Sequence, residues 1–424
     1  MQLSQRQMMI IGGAIIGIVI LLLILGTGIR PDRSRSQEIV VWGLFEDPEM
    51  FEEIAKAHLQ ETGNKIIYIQ KNPITYEQEL LNALAGGSGP DVFFFKNSWL
   101  LRHHDKVETA PDNLFTAGEI EENYPQIVAR DFISESEVFA VPMFLDTLAL
   151  FYNQDLLDQA AVPFPPKTWE ELVEITPRLT KTDASRGIVY SGVALGTPNN
   201  TDHAADILSL LMIQAGSEIV DNEFNVTFHR TKAGEESLGF YSQFAKPTSK
   251  SYTWNDNFDS SIEEFAMGKV AIIFGYASDI QKIKSISPYF NLKIALMPQS
   301  RSASIRKDYA SYWGLAVNKH SQKSLAAWNL ISYLSQNEQS RDFQRKTQLP
   351  PAKRLLLSEV KNQPLMDVFS KQAYTAVSWP QPETNVVESI FKRGITDALS
   401  DRKSLNNIVS DMANEIDELF KKSI

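Results

Sequence analysis

Aromatic side chains stand beside carboxylate, amide or ammonium groups at several points where the sequence pattern predicts that a strand ends. Trp42 lies near the end of the segment EIVVWGLF, and Glu46 lies in the turn that follows it. The same combination recurs at the ends of later predicted strands, at Lys96, Asn97, Trp99, Asp146, Tyr276, Tyr312 and Trp313. Trp254 and Trp379 fall in predicted loops. Because ligands bind beyond the carboxyl ends of strands in open α/β sheets, we expect these residues to line one site.

These residue types suit a carbohydrate ligand. The C–H faces of a pyranose ring stack on indole, and its hydroxyl groups bond to carboxylate, amide and ammonium groups. Each aromatic contact contributes about 0.5–1.5 kcal/mol beyond its buried area. Three such contacts with a few hydrogen bonds would supply about 8 kcal/mol, which corresponds to micromolar binding. A core position is the alternative for Trp42, and a surface position is the alternative for Lys96.

The stretch Val138 to Asn153, VFAVPMFLDTLALFYN, is predicted to position the central acid. From Val138 to Tyr152 it is apolar or small except at Asp146 and Thr147, which is typical of strands buried on both faces. A carboxylate in such a run needs a partner or a ligand, because an unpaired buried charge is costly. We expect the segment to cross between two lobes with Asp146 facing the cleft. The alternative is a buried salt bridge from Asp146 to an arginine.

The remaining pattern predicts an α/β fold. Strands such as EIVVWGLF, KIIYIQ and DVFFF alternate with helical segments that begin after Asp47 and Thr75, which implies parallel pairing. Further on, the sequence TWEE at 168–171 predicts a capped helix, and AIIFGY, KIALMPQ and SYWGLAVN predict strands. The 424 residues exceed what one core usually fills, so two lobes are expected. The net charge of −11, with mixed signs, argues against a nucleic-acid partner.

Enzyme and metal signatures are missing from the sequence. The chain has no cysteine and six scattered histidines, and no H-E-x-x-H, G-x-S-x-G, Walker A or G-x-G-x-x-G motif stands in the required context. We therefore expect no metal, no cofactor and no enzymatic activity. A hydrolase with two convergent carboxyl groups remains an alternative, since a sequence alone cannot show convergence.

Residues 8–26, MMIIGGAIIGIVILLLILG, contain no charged side chain. Nineteen such residues are enough to cross a bilayer as one helix, and no small-x-small cleavage site follows them. We interpret the segment as an uncleaved single-pass anchor. The arginines on its C-terminal side, Arg30, Arg33 and Arg35, slightly favour a cytoplasmic body by the positive-inside rule. Receptor function requires the opposite orientation, which we expect here.

Four blocks of the sequence together resemble extracellular solute-binding proteins of the maltose-binding-protein-like type, the receptor components of ABC importers. The blocks are IVVWGLFEDPEMFEEIAKAH, GGSGPDVFFFKNSWL, VPMFLDTLALFYNQDLL with PPKTWEEL, and FAMGKVAIIFGYASDI with SYWGLAVNKHSQKSLAAWNLISYL. The resemblance implies a two-lobed periplasmic-binding-protein-like (type II) α/β fold with a hinge, preceded here by the N-terminal transmembrane helix. It also implies a sugar or oligosaccharide ligand, ABC permease subunits as partners and a monomer.

The resemblance also assigns boundaries and roles. The expected parts are residues 1–37 as anchor and linker, residues 38–145 with 309–347 as the N-terminal lobe, and residues 146–308 with 348–424 as the C-terminal lobe. Asp146 falls where relatives carry an acid that binds sugar hydroxyls, and Trp379 falls where an aromatic residue stacks on the sugar. Trp99 takes a position that is basic in maltose binders, so maltose itself is not singled out.

We therefore predict a receptor at the cell membrane, with the bulk of the chain extracytoplasmic. Three alternatives remain open. The same fold could bind a peptide, a polyamine or a phosphorylated solute, the chain could be a membrane-anchored glycan hydrolase, or it could be a sensor subunit that signals.

Overall fold

A computed structural model describes residues 37–44, 48–185 and 187–423. The strands of these residues, numbered in chain order, are β1 (Glu38–Gly43), β2 (Lys65–Gln70), β3 (Val92–Lys96), β4 (Val107–Glu108), β5 (Ile133–Ser134), β6 (Glu137–Val138), β7 (Val141–Pro142), β8 (Ala149–Asn153), β9 (Lys181–Thr182), β10 (Ile188–Val193), β11 (Val270–Gly275), β12 (Leu292–Ala295), β13 (Asp308–Tyr309), β14 (Trp313–Asn318) and β15 (Ala376–Val377).

The α-helices of the same residues are α1 (Pro48–Thr62), α2 (Tyr76–Ala85), α3 (Leu100–His103), α4 (Ala117–Asn123), α5 (Gln126–Phe132), α6 (Gln154–Gln159), α7 (Trp169–Leu179), α8 (Ala204–Gln214), α9 (Lys232–Ser242), α10 (Ser261–Ala266), α11 (Asp279–Ile286), α12 (Ser324–Leu334), α13 (Asn337–Thr347), α14 (Arg354–Val360), α15 (Met366–Gln372), α16 (Thr384–Ser400) and α17 (Leu405–Ser423).

One sheet forms the core of the N-terminal lobe. Its strands run in the order β2-β1-β3-β14-β4, and β7 also pairs with β14. The predicted parallel pairing is confirmed for β1 with β2 and with β3. Strand β14 joins antiparallel to β3 from more than two hundred residues further along the chain. The apolar run Val92–Phe95 is buried throughout, as expected for a central strand covered on both faces.

A second sheet forms the core of the C-terminal lobe, with the strand order β12-β8-β11-β10-β9. Strand β11, predicted from the run AIIFGY, is buried at all six positions. It pairs parallel with β10 and antiparallel with β8. The separate sheets confirm the two-lobed α/β fold.

The central stretch passes from one sheet to the other. Strand β7 pairs in the first sheet and β8 pairs in the second, and Asp146 lies between them. On either side of this residue, Phe144 forms a β-bridge to Pro351 and Thr147 forms one to Ala310. The crossing segment is therefore tied to two other passages of the chain. The two short strands predicted to meet at Asp146 agree with this arrangement.

Local capping follows the sequence in part. Helix α7 begins at Trp169 as predicted, because the Thr168 hydroxyl accepts the Glu171 backbone N–H at 3.1 Å. The Glu171 carboxylate accepts from the backbone N–H of Lys167 at 2.7 Å. Thr75 makes no side-chain cap to the backbone. Its hydroxyl instead donates to Glu79 at 2.6 Å.

The predicted anchor at residues 8–26 lies outside the described part of the chain. Within that part, no helix combines the length and the apolar composition that a membrane span requires.

Candidate functional site

A cleft of about 940 Å³ lies between the lobes and receives side chains from both sheets. Seven of the predicted site residues line it: Lys96, Asn97, Trp99, Asp146, Tyr276, Trp313 and Trp379. Its volume is at the upper end of the range for small-molecule pockets, about 300–1,000 Å³. The structure thus brings these distant parts of the sequence together, and ligand contact by each residue stays a prediction.

Asp146 stands at the crossing with only 1% of its surface exposed. Its carboxylate oxygens accept the backbone N–H groups of Ala277 and Ser278 at 2.9 and 3.0 Å. Among the described residues it has no ion pair, so the alternative of a buried arginine salt bridge is not what the structure shows. Burial raises the pKa of Asp146 to about 7, and the two backbone donors oppose part of that rise.

The N-terminal lobe contributes an aromatic wall that carries one ammonium group. The rings of Trp99 and Trp313 meet edge to face, with centroids 5.3 Å apart. The Lys96 Nζ lies 4.8 Å from the Trp313 ring and donates to the Ser311 hydroxyl at 2.8 Å. Burial lowers the pKa of Lys96, against the effect of acids that include Asp206 and Asp146. Cation–π contact helps to keep this ammonium group at the wall.

The C-terminal lobe contributes a hydrogen-bonded wall. The Tyr276 hydroxyl donates to Asp206 at 2.7 Å, and Asp206 lies in the first turn of α8. Burial raises the pKa of Asp206, while the nearby His203 lowers it. Asp206 therefore presents a partly desolvated carboxyl group to the cleft.

His203 lies on the same wall and was not predicted from the sequence. Its Nε2 lies 2.8 Å from Asp279, and its ring meets Tyr276 edge to face at 4.8 Å. Burial by itself disfavours the imidazolium. Asp279, with smaller contributions from Asp206 and Asp202, outweighs burial and raises the pKa of His203 to about 9. His203 is therefore a cation at neutral pH.

Other lining residues were also missed by the sequence reasoning. They include Glu77, Asp206, Tyr309, Gln381 and Glu388. Glu77 and Glu388 are helical, and nothing in the sequence distinguishes them from acids on solvated helix faces. Two further lining residues are joined by a hydrogen bond, in which the Gln381 side-chain amide donates to the Tyr309 hydroxyl at 3.3 Å. Gln381 lies two residues after Trp379, and the run SWPQPE was the one signal that could have found it.

Tyr312 is placed behind the cleft, which corrects its prediction as a lining residue. It is fully buried, and its hydroxyl donates to Asp131 at 2.9 Å. Asn97 and Ser378 also donate to Asp131, at 3.0 and 2.6 Å. Burial raises the pKa of Asp131 to about 6. Tyr312 directly precedes β14, whose first residue, Trp313, lines the cleft. Consecutive residues of an extended backbone point to opposite sides, so the prediction could not hold for both.

Two predicted tryptophans also lie away from the cleft. Trp42 packs in the core of the N-terminal lobe, with the Lys71 Nζ 3.7 Å from its ring centroid. Trp254 is fully buried and stacks on Phe258 with the centroids 4.4 Å apart. Both are core residues because the area that each buries there stabilises the fold. Glu46 lies outside the described residues.

No group of side chains able to hold a metal ion occurs in the described part of the chain. The cleft presents aromatic faces, hydroxyls, amides and ionisable side chains that include Lys96, Asp146, His203 and Asp206. Such a set can bind a polar ligand with apolar faces.

Two α/β lobes that face each other across a polar and aromatic cleft define a two-lobed solute-binding protein. A family described as bacterial extracellular solute-binding protein matches residues 50–367, and the chain belongs to this family. The resemblance predicted from the sequence is thereby confirmed.

Relatives by sequence are distant. The "Probable ABC transporter-binding protein" of Deinococcus radiodurans is 24% identical over 294 residues, which cover 66% of this chain and 67% of that protein. The maltotriose-binding protein of Pyrococcus abyssi is 22% identical over 142 residues, which cover 33% of this chain and 30% of that protein.

Solved structures with the same fold align over most of the chain. A cyclic α-maltosyl-1,6-maltose binding protein from Arthrobacter globiformis has a TM-score of 0.75 at 16% identity, covering 91% of this chain and 100% of that one. The GacH receptor of Streptomyces glaucescens, solved unliganded and with acarbose, has a TM-score of 0.74 at 20% identity, covering 91% and 99%. A solute-binding protein from Thermotoga lettingae bound to α-D-tagatose has a TM-score of 0.73 at 19% identity, covering 91% and 100%. At these identities the likeness establishes the fold.

Proposed function

We propose that this protein captures a sugar or an oligosaccharide outside the cytoplasm, closes its lobes over it and delivers it to the permease subunits of an ABC importer. The observation that carries the proposal is the composition of the cleft. Aromatic faces of Trp99 and Trp313 stand on one wall, and hydrogen-bonding groups of Asp206 and Tyr276 stand on the other. Family membership supports the transport role, and the sugar ligands of the structural neighbours support the solute class.

Closure would take place about the crossing segments. We propose residues 38–145 with 309–347 and residues 146–308 with 348–424 as the two lobes. Strands β1 and β14 lie in the first sheet and β8 lies in the second. At the crossing, the Asp146 carboxylate accepts the backbone N–H groups of Ala277 and Ser278, and its backbone carbonyl accepts the N–H of Ser311 at 3.1 Å. Hinge closure around a ligand is a common device of such folds.

The test combines calorimetry with small-angle X-ray scattering on a panel of maltose, maltotriose, maltotetraose, cellotriose and tagatose. At least one of these is expected to bind with micromolar affinity and to reduce the radius of gyration. Unchanged dimensions and no heat with every sugar of the panel would contradict the proposal. Peptides and spermidine in the same assay address the non-sugar alternatives.

A matched pair of variants tests the aromatic wall. Trp313→Leu removes a lining face and is expected to weaken sugar binding about tenfold, since one aromatic contact contributes roughly 0.5–1.5 kcal/mol beyond its area. Trp42→Leu makes the same change in the core of the N-terminal lobe, and the folded fraction should bind with unchanged affinity. Equal losses in both variants would remove Trp313 from the site.

We propose further that the protein binds its solute without turnover. Asp146 is engaged by two backbone N–H groups and Asp206 by the Tyr276 hydroxyl, which suits holding a ligand. Incubation with each glycan of the panel, followed by chromatography, is expected to return the glycan intact. Cleaved product would favour the anchored hydrolase.

Membrane tethering through residues 8–26 is also part of the proposal. It rests on the nineteen uncharged residues of that segment. The full chain is expected in the membrane fraction after a carbonate wash, and a chain that begins at residue 37 is expected in the soluble fraction. Release of both by the wash would contradict a spanning anchor.

A further inference from the structure

His203 occupies an unusual place in the C-terminal lobe. It is the residue that precedes α8, it lines the cleft, and its backbone is left-handed, with φ of 60°. Residues other than glycine adopt this conformation at a cost, and it occurs mainly where the surroundings or a function require it. The backbone at His203 therefore calls for an explanation beyond helix capping, and its side chain makes no cap bond.

The imidazole ring is held from two directions. Its Nε2 bonds to the Asp279 carboxylate at 2.8 Å, and the same Asp279 oxygen accepts the backbone N–H of Tyr276 at 2.8 Å. The Tyr276 ring lies edge to face against the imidazole at 4.8 Å. No hydrogen bond from the His203 Nδ1 occurs within the described residues, and about a quarter of the side chain is exposed. The imidazole ring is therefore held in one orientation, and its Nδ1 has no protein partner among the described residues.

The charges around the ring favour the imidazolium. Its pKa is raised by the carboxylates of Asp279 in α11, Asp206 in α8 and Asp202 just before α8. Asp146 lies near Asp279 at the crossing, and Lys96 faces Asp206 from the other lobe. Tyr276 bonds to Asp206. In this setting both ring nitrogens carry protons at neutral pH, so Nδ1 is a charged donor.

We propose that His203 is a specificity-determining residue of the cleft, which donates from Nδ1 to an oxygen of the bound solute, and that Asp279 is its positioning residue. The inference rests on the proposed function, because it requires a solute in this cleft. It adds that the solute presents a hydroxyl, ring or carboxylate oxygen at the N-terminus of α8. A charge-assisted hydrogen bond also explains why a strained backbone is retained there.

Two substitutions test the assignment with whichever sugar of the panel (maltose, maltotriose, maltotetraose, cellotriose and tagatose) binds the wild type most tightly. His203→Asn tolerates the left-handed backbone and removes the charged donor. It is expected to weaken binding about 10- to 100-fold, the range of a charge-assisted bond. His320→Asn, the same change at an exposed loop position, should leave affinity unchanged.

Asp279→Asn removes the negative charge next to His203 and keeps a side chain of nearly the same shape. It keeps an oxygen for the Tyr276 N–H but removes the main partner that raises the pKa of His203. The ratio of variant to wild-type dissociation constants is expected to be near one at pH 5.5 and to rise about tenfold or more at pH 8. Taking the ratio cancels the titration of other cleft groups such as Asp146. NMR of labelled histidine should show the His203 pKa falling in the variant.

A ratio that is the same at both pH values would mean that Asp279 acts only on structure and would overturn the inference. Unchanged affinity in His203→Asn would overturn it as well, while the proposed function would stand. If none of the sugars binds the wild type, the proposed function fails and the inference fails with it.

Discussion

Asp146→Asn is the substitution from which the structure predicts the most. The carboxylate accepts two backbone N–H groups, from Ala277 and Ser278. An amide side chain offers one oxygen and an NH₂ group in the same place. One of the two N–H groups therefore loses its acceptor, which costs about 1–3 kcal/mol for a buried donor.

The pH dependence of this variant follows from the pKa of the wild-type carboxyl group, which burial raises from 3.8 to about 7. Between these values the folded protein keeps a proton that the unfolded chain has lost. A raised acid pKa therefore contributes stability at low pH and loses it as the pH rises from about 4 to about 7. The difference between these two pKa values corresponds to ~4 kcal/mol. The amide does not titrate, so its contribution stays constant.

The lost hydrogen bond favours the wild type at low pH, whereas ionisation of the buried Asp146 carboxyl group favours Asp146→Asn at high pH. Near pH 4 the wild type is expected to be the more stable by about 1–3 kcal/mol. Near pH 8 it has lost ~4 kcal/mol, so Asp146→Asn is expected to equal or exceed it. The free energy of unfolding of the ligand-free proteins, measured by urea denaturation with tryptophan fluorescence at pH 4, 6 and 8, checks this reversal.

Asp112→Asn is the matched control, because Asp112 is exposed in the loop before α4. Its stability difference from the wild type is expected to be small at every pH. If the deficit of Asp146→Asn stays constant or grows from pH 4 to pH 8, the carboxylate is compensated by a positive charge, and the present account of the crossing is refuted.

Three sites outside the cleft are also expected to change stability on substitution. His58 is buried, neither of its ring nitrogens has a hydrogen bond within the described part of the chain, and burial lowers its pKa below 6.5. The unfolded chain therefore takes up the proton first, so wild-type stability should fall below about pH 6.5 relative to His58→Leu, as melting temperatures between pH 5 and 7.5 would show. Arg102 in α3 pairs with Glu383, the residue before α16, at 3.2 Å. A double-mutant cycle on the free energy of unfolding should give a coupling of about 1 kcal/mol, and zero coupling would show that the pair does not stabilise the fold. Gly196 has φ of 111°, and a Cβ there would lie 2.6 Å from the backbone nitrogen of Ala245. Gly196→Ala should therefore lower the free energy of unfolding by about 3 kcal/mol, measured by urea denaturation. An unchanged free energy of unfolding would contradict this packing.

The parts of the fold that followed from the sequence are those encoded by local patterns. The run VFFFK and the run AIIFGY were recognisable as buried strands because continuous apolar residues of strand length have few other solutions. The start of α7 at Trp169 followed from the Thr168 cap. The acid at Asp146 was found because a carboxylate in an apolar run is conspicuous.

The site was predicted less completely, for reasons that individual residues show. Trp42 and Trp254 are of a residue type that is expected at ligand contacts, but an indole ring packs in a hydrophobic core as readily as it stacks on a sugar. Tyr312 and Trp313 are neighbours in sequence, and only the register of β14 decides that Trp313 faces the cleft while Tyr312 bonds to Asp131. His203 and Asp206 lie at the start of α8, a mostly apolar helix, and no local pattern marks them as residues of a site.

The sequence by itself determined the class of fold, the two lobes, the crossing at Asp146 and the resemblance to solute-binding proteins, since these depend on short-range periodicity and on motifs read along the chain. Only the tertiary structure decided which aromatic residues reach the cleft, which acid holds His203 and which donors satisfy Asp146. The partner of His203 lies 76 residues away along the chain, and the donors to Asp146 lie 131 and 132 residues away. Contacts of that separation arise from the packing of whole lobes, and no local pattern records them.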